Sequence, residues 1–170
     1  PEVIAAHARG IPVLERREFL GTLLAGKRVI GVAGTHGKTT TTGMIAMILR
    51  AAGLDPGFII GGVLQDLDTN ASAGSGEWFV IEADEYGRMF HGLEPEIAVI
   101  TVIEMDHPDC FRSLDEMRQA YREFAERIVP GGALVACVDG PQVRLLLEEW
   151  QPSRAVATYG RGPDAEYGVA

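Results

Sequence analysis

Val29-Ile-Gly-Val-Ala33 runs directly into Gly34-Thr-His-Gly-Lys-Thr39, and Thr39 to Ala52 is then apolar on nearly every side until Gly53. A short continuous apolar run reads as a strand buried on both faces, and the longer stretch closing at a glycine reads as a buried helix. A glycine loop set between such a strand and such a helix is the context expected of a phosphate-binding loop. Glycines let backbone N–H groups turn in around phosphate oxygens, and the helix N-terminus adds partial positive charge. On this reading Gly34, Thr35, His36, Gly37, Lys38, Thr39 and Thr40 bind ATP. Lys38 reaches the β- and γ-phosphates, and the Thr39 hydroxyl binds Mg²⁺, for which Mn²⁺ can substitute. The usual spacing puts the first glycine at position 32, which is Val32, so this is a variant loop anchored by Gly34. The competing reading is a glycine-rich turn carrying a solvated lysine. Both readings set Lys38 in a solvent-filled loop, so Lys38→Ala is expected to spare the fold.

Outward from the loop, strand and helix signals alternate. Phe58–Ile60, Trp78–Ile81, Ile97–Ile103, Ala133–Val138 and Ala155–Thr158 read as strands, mostly continuous rather than alternating. Continuous apolar strands need a sheet covered on both faces. One cover helix starts at Ser113, where Ser113 and Glu116 form a capping box. Its apolar stripe is Leu114, Met117, Tyr121, Phe124 and Ile128, and Pro130-Gly131-Gly132 ends it. A second runs from Pro141 to Trp150 with Asp139 as its cap. The fold class is therefore α/β: a three-layer, mostly parallel sheet with a phosphate-binding loop.

The flanks are poorer in signal. Residues 1–26 hold one amphipathic stretch, Arg16 to Leu24, and the tail after Tyr159 is glycine-rich. We expect 27–160 to be an ATP-binding domain, 1–26 the end of an absent N-terminal domain, and 161–170 the start of a connection to an absent C-terminal one.

The bulk composition narrows the partners. The chain has 170 residues, a formal net charge of −9 and only two cysteines. A strongly acidic chain has no general attraction for nucleic acid or an anionic membrane, so any phosphate must be caught locally. Cys110 and Cys137 have no metal-site spacing. The apolar runs fall short of a membrane span, and the first 20 residues lack a secretion signal, which makes the cytoplasm the expected compartment.

Two further strand ends carry polar groups. Phe79-Val-Ile-Glu82-Ala-Asp84-Glu85 places an acid at the carboxyl end of a strand, the edge where ligands of open α/β sheets collect. Glu82 is positioned to hold Mg²⁺ directly or through water. Asp84 and Glu85 read equally well as groups behind it or as solvated acids. His107 follows the next strand in Asp106-His107-Pro-Asp109, where it can ligate a metal or simply be a hydrogen-bonded structural residue.

Taken together, Gly34-Thr-His-Gly-Lys-Thr-Thr-Thr-Thr42, Glu82-Ala-Asp-Glu85 and Asp106-His107-Pro-Asp109 resemble the three successive motifs of the Mur ligase central domain. Asn70-Ala71 with Gly74 and Gly76 is similar to the segment before the acidic motif. The Thr-His-Gly-Lys and Glu-Ala-Asp-Glu forms resemble the members that join L-alanine to UDP-N-acetylmuramate. The members that ligate murein peptide come close behind, and Tyr86 is more like theirs. The resemblance implies an ATP-dependent, amide-forming ligase of peptidoglycan precursor synthesis, with an acyl phosphate between substrates and product. It assigns catalytic roles to Lys38, Glu82 and His107, one Mg²⁺ to Thr39 and Glu82, and a second to Glu82 and His107. It implies UDP-N-acetylmuramate and L-alanine as substrates, and a central domain that is a poor ligase alone. Val102 stands where the family has Asn, and Gly87 where it has Asp. The alternatives are a murein peptide or folylpolyglutamate-type ligase and, from another class, a phosphate-loop kinase or nucleotide-gated binding module.

Overall fold

The computed structural model describes residues 1–151 and 153–168; of the expected C-terminal connection, 169–170 lie outside the described residues. In chain order the helices are α1 (Glu2–Ala8), α2 (Arg16–Leu23), α3 (Lys38–Ala51), α4 (Leu114–Glu126) and α5 (Pro141–Trp150), with a 3₁₀ segment at Tyr86–Gly92. The strands are β1 (Arg28–Ala33), β2 (Gly57–Leu64), β3 (Thr69–Ser72), β4 (Trp78–Glu82), β5 (Ile97–Ile100), β6 (Ala133–Cys137), β7 (Ala155–Gly160) and β8 (Tyr167–Gly168).

Among the described residues all eight strands form one sheet in the order β3-β2-β4-β1-β5-β6-β7-β8. Every pairing is parallel except β2 with β3. The continuous apolar runs have the cause expected of them, because alternate residues of each strand enter opposite cores. Val29, Phe79, Ile81, Ala98 and Ile100 face the layer built by α2, α4 and α5. Ile30, Val32, Val80 and Val99 face α3. Since β1 lies between β4 and β5, with Glu82 beside Val32 and Ile100 beside Ala33, the three motif-bearing strand ends share one edge.

Some expectations need correction. The α3 helix is buried on one face only: Thr42, Gly43 and Ala46 are enclosed, whereas Met44 and Ile48 are 60% and 62% exposed. It covers its side of the sheet as a single layer, so its back meets solvent. Ser113 caps α4 by accepting the Glu116 N–H at 3.1 Å, but Glu116 accepts from the Arg112 N–H (2.9 Å) rather than from Ser113, so the box is shifted by one residue. The cap of α5 is Gly140, with Pro141 opening the helix, because the Asp139 carboxylate is turned to the Arg161 N–H at 2.7 Å. Strand β5 stops at Ile100 instead of Ile103: the Thr101 N–H still meets the Ala33 carbonyl of β1, but the Val102 carbonyl is turned to the Thr35 N–H of the neighbouring loop. The antiparallel edge strand β3 carries Thr69-Asn-Ala-Ser72, too polar to announce itself. At the flanks, α2 delivers Leu20 to the core and β8 extends the sheet beside β7.

Candidate functional site

Between β1 and α3 the backbone takes conformations that explain the glycines. Gly34 has φ +144°, and a Cβ there would lie 1.9 Å from the Thr101 hydroxyl, so no side chain fits. Gly37 is left-handed and caps α3. The loop is tied across to the segment leaving β5: the Thr35 N–H donates to the Val102 carbonyl at 2.9 Å, and the Thr101 hydroxyl donates to the His36 carbonyl at 2.6 Å. The departure at Val102 is one of side chain, while the loop uses its backbone. His36 points outward, 70% exposed, 3.5 Å from Glu104. Thr39 and Thr40 begin α3 on the solvent side.

Lys38 is not in a solvent-filled loop. Its side chain is only 14% exposed, its ammonium lies 2.9 Å from both carboxylate oxygens of Glu85, and it donates to the Gly34 carbonyl at 2.7 Å. Glu85 is fully buried. Lys38→Ala would therefore leave a buried carboxylate without its cation, which overturns the expectation that the fold is spared.

Glu82 closes a second group. It accepts from the Thr39 hydroxyl at 3.0 Å and from the Gly61 N–H at 2.7 Å. A Cβ on Gly61 would stand 2.8 Å from the Glu82 carboxylate, so close backbone approach is what places this acid.

His107 anchors a third. It sits at φ +51°, a backbone state rare outside glycine, held by its own N–H on Asp106 (2.7 Å) and by its carbonyl, which accepts from Cys110 and Phe111. Its Nε2 is 3.7 Å from both Glu85 and Asp106. Ligand atoms of Glu85, Asp106 and His107 lie within 4.8 Å of one another. Tyr86 meets His107 edge-on at 5.2 Å and donates to Asp109 at 3.0 Å, and that carboxylate raises the phenol's pKa. Arg88 is engaged by Glu123 at 2.6 Å.

All the residues expected to bind nucleotide or metal thus reach one edge of the sheet, but in distinct contacts. Glu82 joins Thr39, while His107 joins Glu85 and Asp106. A hydroxyl, three carboxylates and one imidazole make a mainly hard donor set that fits Mg²⁺ and accepts Mn²⁺. Sequence reasoning undervalued Glu85 and missed Gly61, Thr101 and Tyr121. Among the described residues the Tyr121 hydroxyl is buried without a hydrogen bond of ordinary geometry; burial first, and then the Glu85 carboxylate, raise its pKa. Glu85 could have been weighed more heavily from its motif, but nothing local marks the other three. A cavity of about 400 Å³ lies at the opposite edge among Leu24, Lys27, Val29 and Arg127. Its two cations already donate to carbonyls of Gly76 and Leu93, so the loop edge is the better candidate. There a cavity of about 150 Å³ opens between Arg16, Gly61, Glu82 and Asp84.

Residues 32–169 match the Mur ligase middle domain. The UDP-N-acetylmuramate–L-alanine ligase of Frankia casuarinae is 48% identical over 98% of this chain and 35% of its own length. The chain thus spans about a third of the curated relatives it matches. Among solved structures, the UDP-N-acetylmuramate:L-alanyl-gamma-D-glutamyl-meso-diaminopimelate ligase of Neisseria meningitides superposes with a TM-score of 0.79 at 31% identity, covering 92% of this chain and 53% of that one. The UDP-N-acetylmuramate–alanine ligase of Thermotoga maritima gives a TM-score of 0.76 at 25% identity, covering 94% and 35%. Among the described residues no helix is long and apolar enough to cross a membrane.

Proposed function

Because this chain belongs to the Mur ligase family, as its middle domain, we propose that it is the ATP- and Mg²⁺-binding part of a cytoplasmic ligase joining L-alanine to the carboxylate of UDP-N-acetylmuramate. The single observation that carries the reading is the phosphate loop of β1 and α3, with Lys38 and Thr39 at its end and Glu82 held on Thr39. The 48% identity to a ligase of that name supports the choice of substrates.

In the proposed reaction a carboxylate oxygen of the sugar attacks the γ-phosphorus and the bond to the β-phosphate oxygen breaks, releasing ADP. The amine of L-alanine then attacks the carbonyl carbon of the acyl phosphate. The C–O bond breaks, phosphate leaves and the amine gives up a proton. Lys38 would hold the transferring phosphate and offset its charge. Thr39 and Glu82 would hold one ion, and Glu82 with His107 a second, Glu85 and Asp106 adding anionic oxygen beside the imidazole. Bound Mg²⁺ supplies neutralisation of phosphate charge. With two carboxylates 3.7 Å from its Nε2, His107 is placed for ion binding or positioning rather than for general base work. Residues 27–160 would form the nucleotide-binding unit, 1–26 leading in from an N-terminal domain and 161–170 leading out.

A second reading changes only the amine. The Neisseria relative, named for a tripeptide substrate, shares the fold at 31% identity, so a murein peptide could replace L-alanine. Calorimetry with ATP and Mg²⁺ on the wild type and Lys38→Gln tests the loop, since the substitution removes the charge that would meet the phosphates while keeping a polar side chain at the position. An affinity loss of about tenfold or more is expected, and equal affinity refutes the reading. In the full-length protein, phosphate release should require both acid and amine; a stable phosphorylated product would instead indicate a kinase.

A further inference from the structure

The segment leading into β1 brings a cation to the loop edge. Arg16 opens α2, and Leu20, four positions on and so on the same face of the helix, is buried in the core. With that face anchored, Arg16 lines the cavity of about 150 Å³ that it shares with Ile59, Gly61, Glu82 and Asp84. Among the described residues its guanidinium forms no ion pair, and its Nη1 meets the Met89 sulfur at 3.9 Å. By contrast Lys38 is held by Glu85, and Arg88 by Glu123. A guanidinium that shares a cavity with two acids and is joined to neither keeps its donors for a group that is not part of the fold. We propose that Arg16 binds the carboxylate of the acid substrate and holds it beside the ion on Glu82. This rests on the ligase reading given above and adds to it a residue that takes the acid.

The topology gives the two reactants separate places. Strand β4 lies between β1 and β2, so the cavity at the ends of β2 and β4 is one strand removed from the loop that follows β1. ATP held on the loop leaves it open. Glu82 stands between the two: it accepts from the Thr39 hydroxyl of α3, and it lines the cavity with Arg16 of α2. The cavity is small beside the roughly 300–1,000 Å³ pockets that enclose whole small molecules, so it takes one end of a larger ligand. The end it suits is an anion of carboxylate shape. An acid arriving at this edge meets the like charges of Glu82 and Asp84, which the bound ion offsets only in part. The planar fork of an arginine offsets more of that repulsion and, by pairing with both carboxylate oxygens, removes the rotational freedom that attack on phosphorus would otherwise have to overcome.

Steady-state kinetics of the full-length protein test the assignment. Arg16→Gln should raise KM for UDP-N-acetylmuramate about tenfold or more, the size of one charge-assisted hydrogen bond, and leave KM for ATP and for L-alanine within about twofold. Arg16→Lys keeps the charge without the fork and should recover part of the loss. An unchanged KM for the acid overturns the proposal. An equal rise in KM for ATP also overturns it, because Arg16 would then be a nucleotide contact. Arg16 is exposed in the first turn of α2, so the melting temperature of Arg16→Gln should stay within about 2 °C of wild type. If it falls further, Arg16→Lys decides, and a KM for the acid equal to that of Arg16→Gln overturns the proposal. Failure of the ligase reading is seen separately. The wild type would then release no phosphate with UDP-N-acetylmuramate and L-alanine, and this assignment would fall with it, whereas failure of the assignment alone leaves wild-type turnover intact and Arg16→Gln equal to it.

Discussion

Lys38→Ala is expected to cost stability before it costs anything else. Glu85 is 0% exposed and has both oxygens 2.9 Å from the lysine, which is itself only 14% exposed. Removing one partner of a buried ion pair costs about 3–5 kcal/mol, because the other charge is stranded. The lower end applies here, since His107 beside Glu85 is 32% exposed and admits some water. For a chain of this size each kcal/mol moves the midpoint by about 2–4 °C, so about 3 kcal/mol corresponds to a fall of about 6–12 °C. Neutralising the survivor should restore most of it: Lys38→Ala with Glu85→Gln is expected to lie within about 1 kcal/mol of wild type. The two substitutions would then be coupled by about 2 kcal/mol or more, well beyond the non-additivity of distant sites. Calorimetric melting and urea titration of the four proteins, without nucleotide, measure this cycle. A midpoint for Lys38→Ala within about 2 °C of wild type, or a double variant as unstable as the sum of the singles, would refute the claim that the pair is buried and interdependent.

Two other outcomes follow from single contacts. Gly34→Ala places a methyl 1.9 Å from the Thr101 hydroxyl at φ +144°, so the loop must shift at a cost of about 1–3 kcal/mol and ATP affinity should fall; a crystal structure with the wild-type loop path would refute this. Ser75 holds the Asp55 carboxyl below its ordinary 3.8 through its hydroxyl at 2.7 Å and its N–H at 2.9 Å. A depressed folded value means that this stabilisation is present above about 3.8 and lost as pH falls through the folded midpoint. Ser75→Ala should raise the Asp55 midpoint seen by NMR towards 3.8, and an unmoved midpoint would refute the hydrogen-bond cause.

The parts of the molecule that depend on neighbours in the chain could be read from residues alone. Val29–Ala33 leading into Gly34–Thr39 specifies strand, loop and helix start, because apolar continuity, glycine freedom and helix polarity act over a few residues. The acid of Glu82 and the ring of His107 could be placed on the same edge by one inference, that parallel strands end together. What remained hidden depends on groups far apart in sequence. Lys38 and Glu85 are 47 positions apart, and Thr35 reaches the Val102 carbonyl across 67. Nothing at position 121 distinguishes a tyrosine packed for its ring from one whose hydroxyl lies beside a buried carboxylate. The sequence by itself determined the layers, the loop and the edge where chemistry can occur. Only tertiary packing decided which acid meets the lysine, since burial of Glu85 and the partner it then requires exist only once α4, β4 and the loop have closed around it.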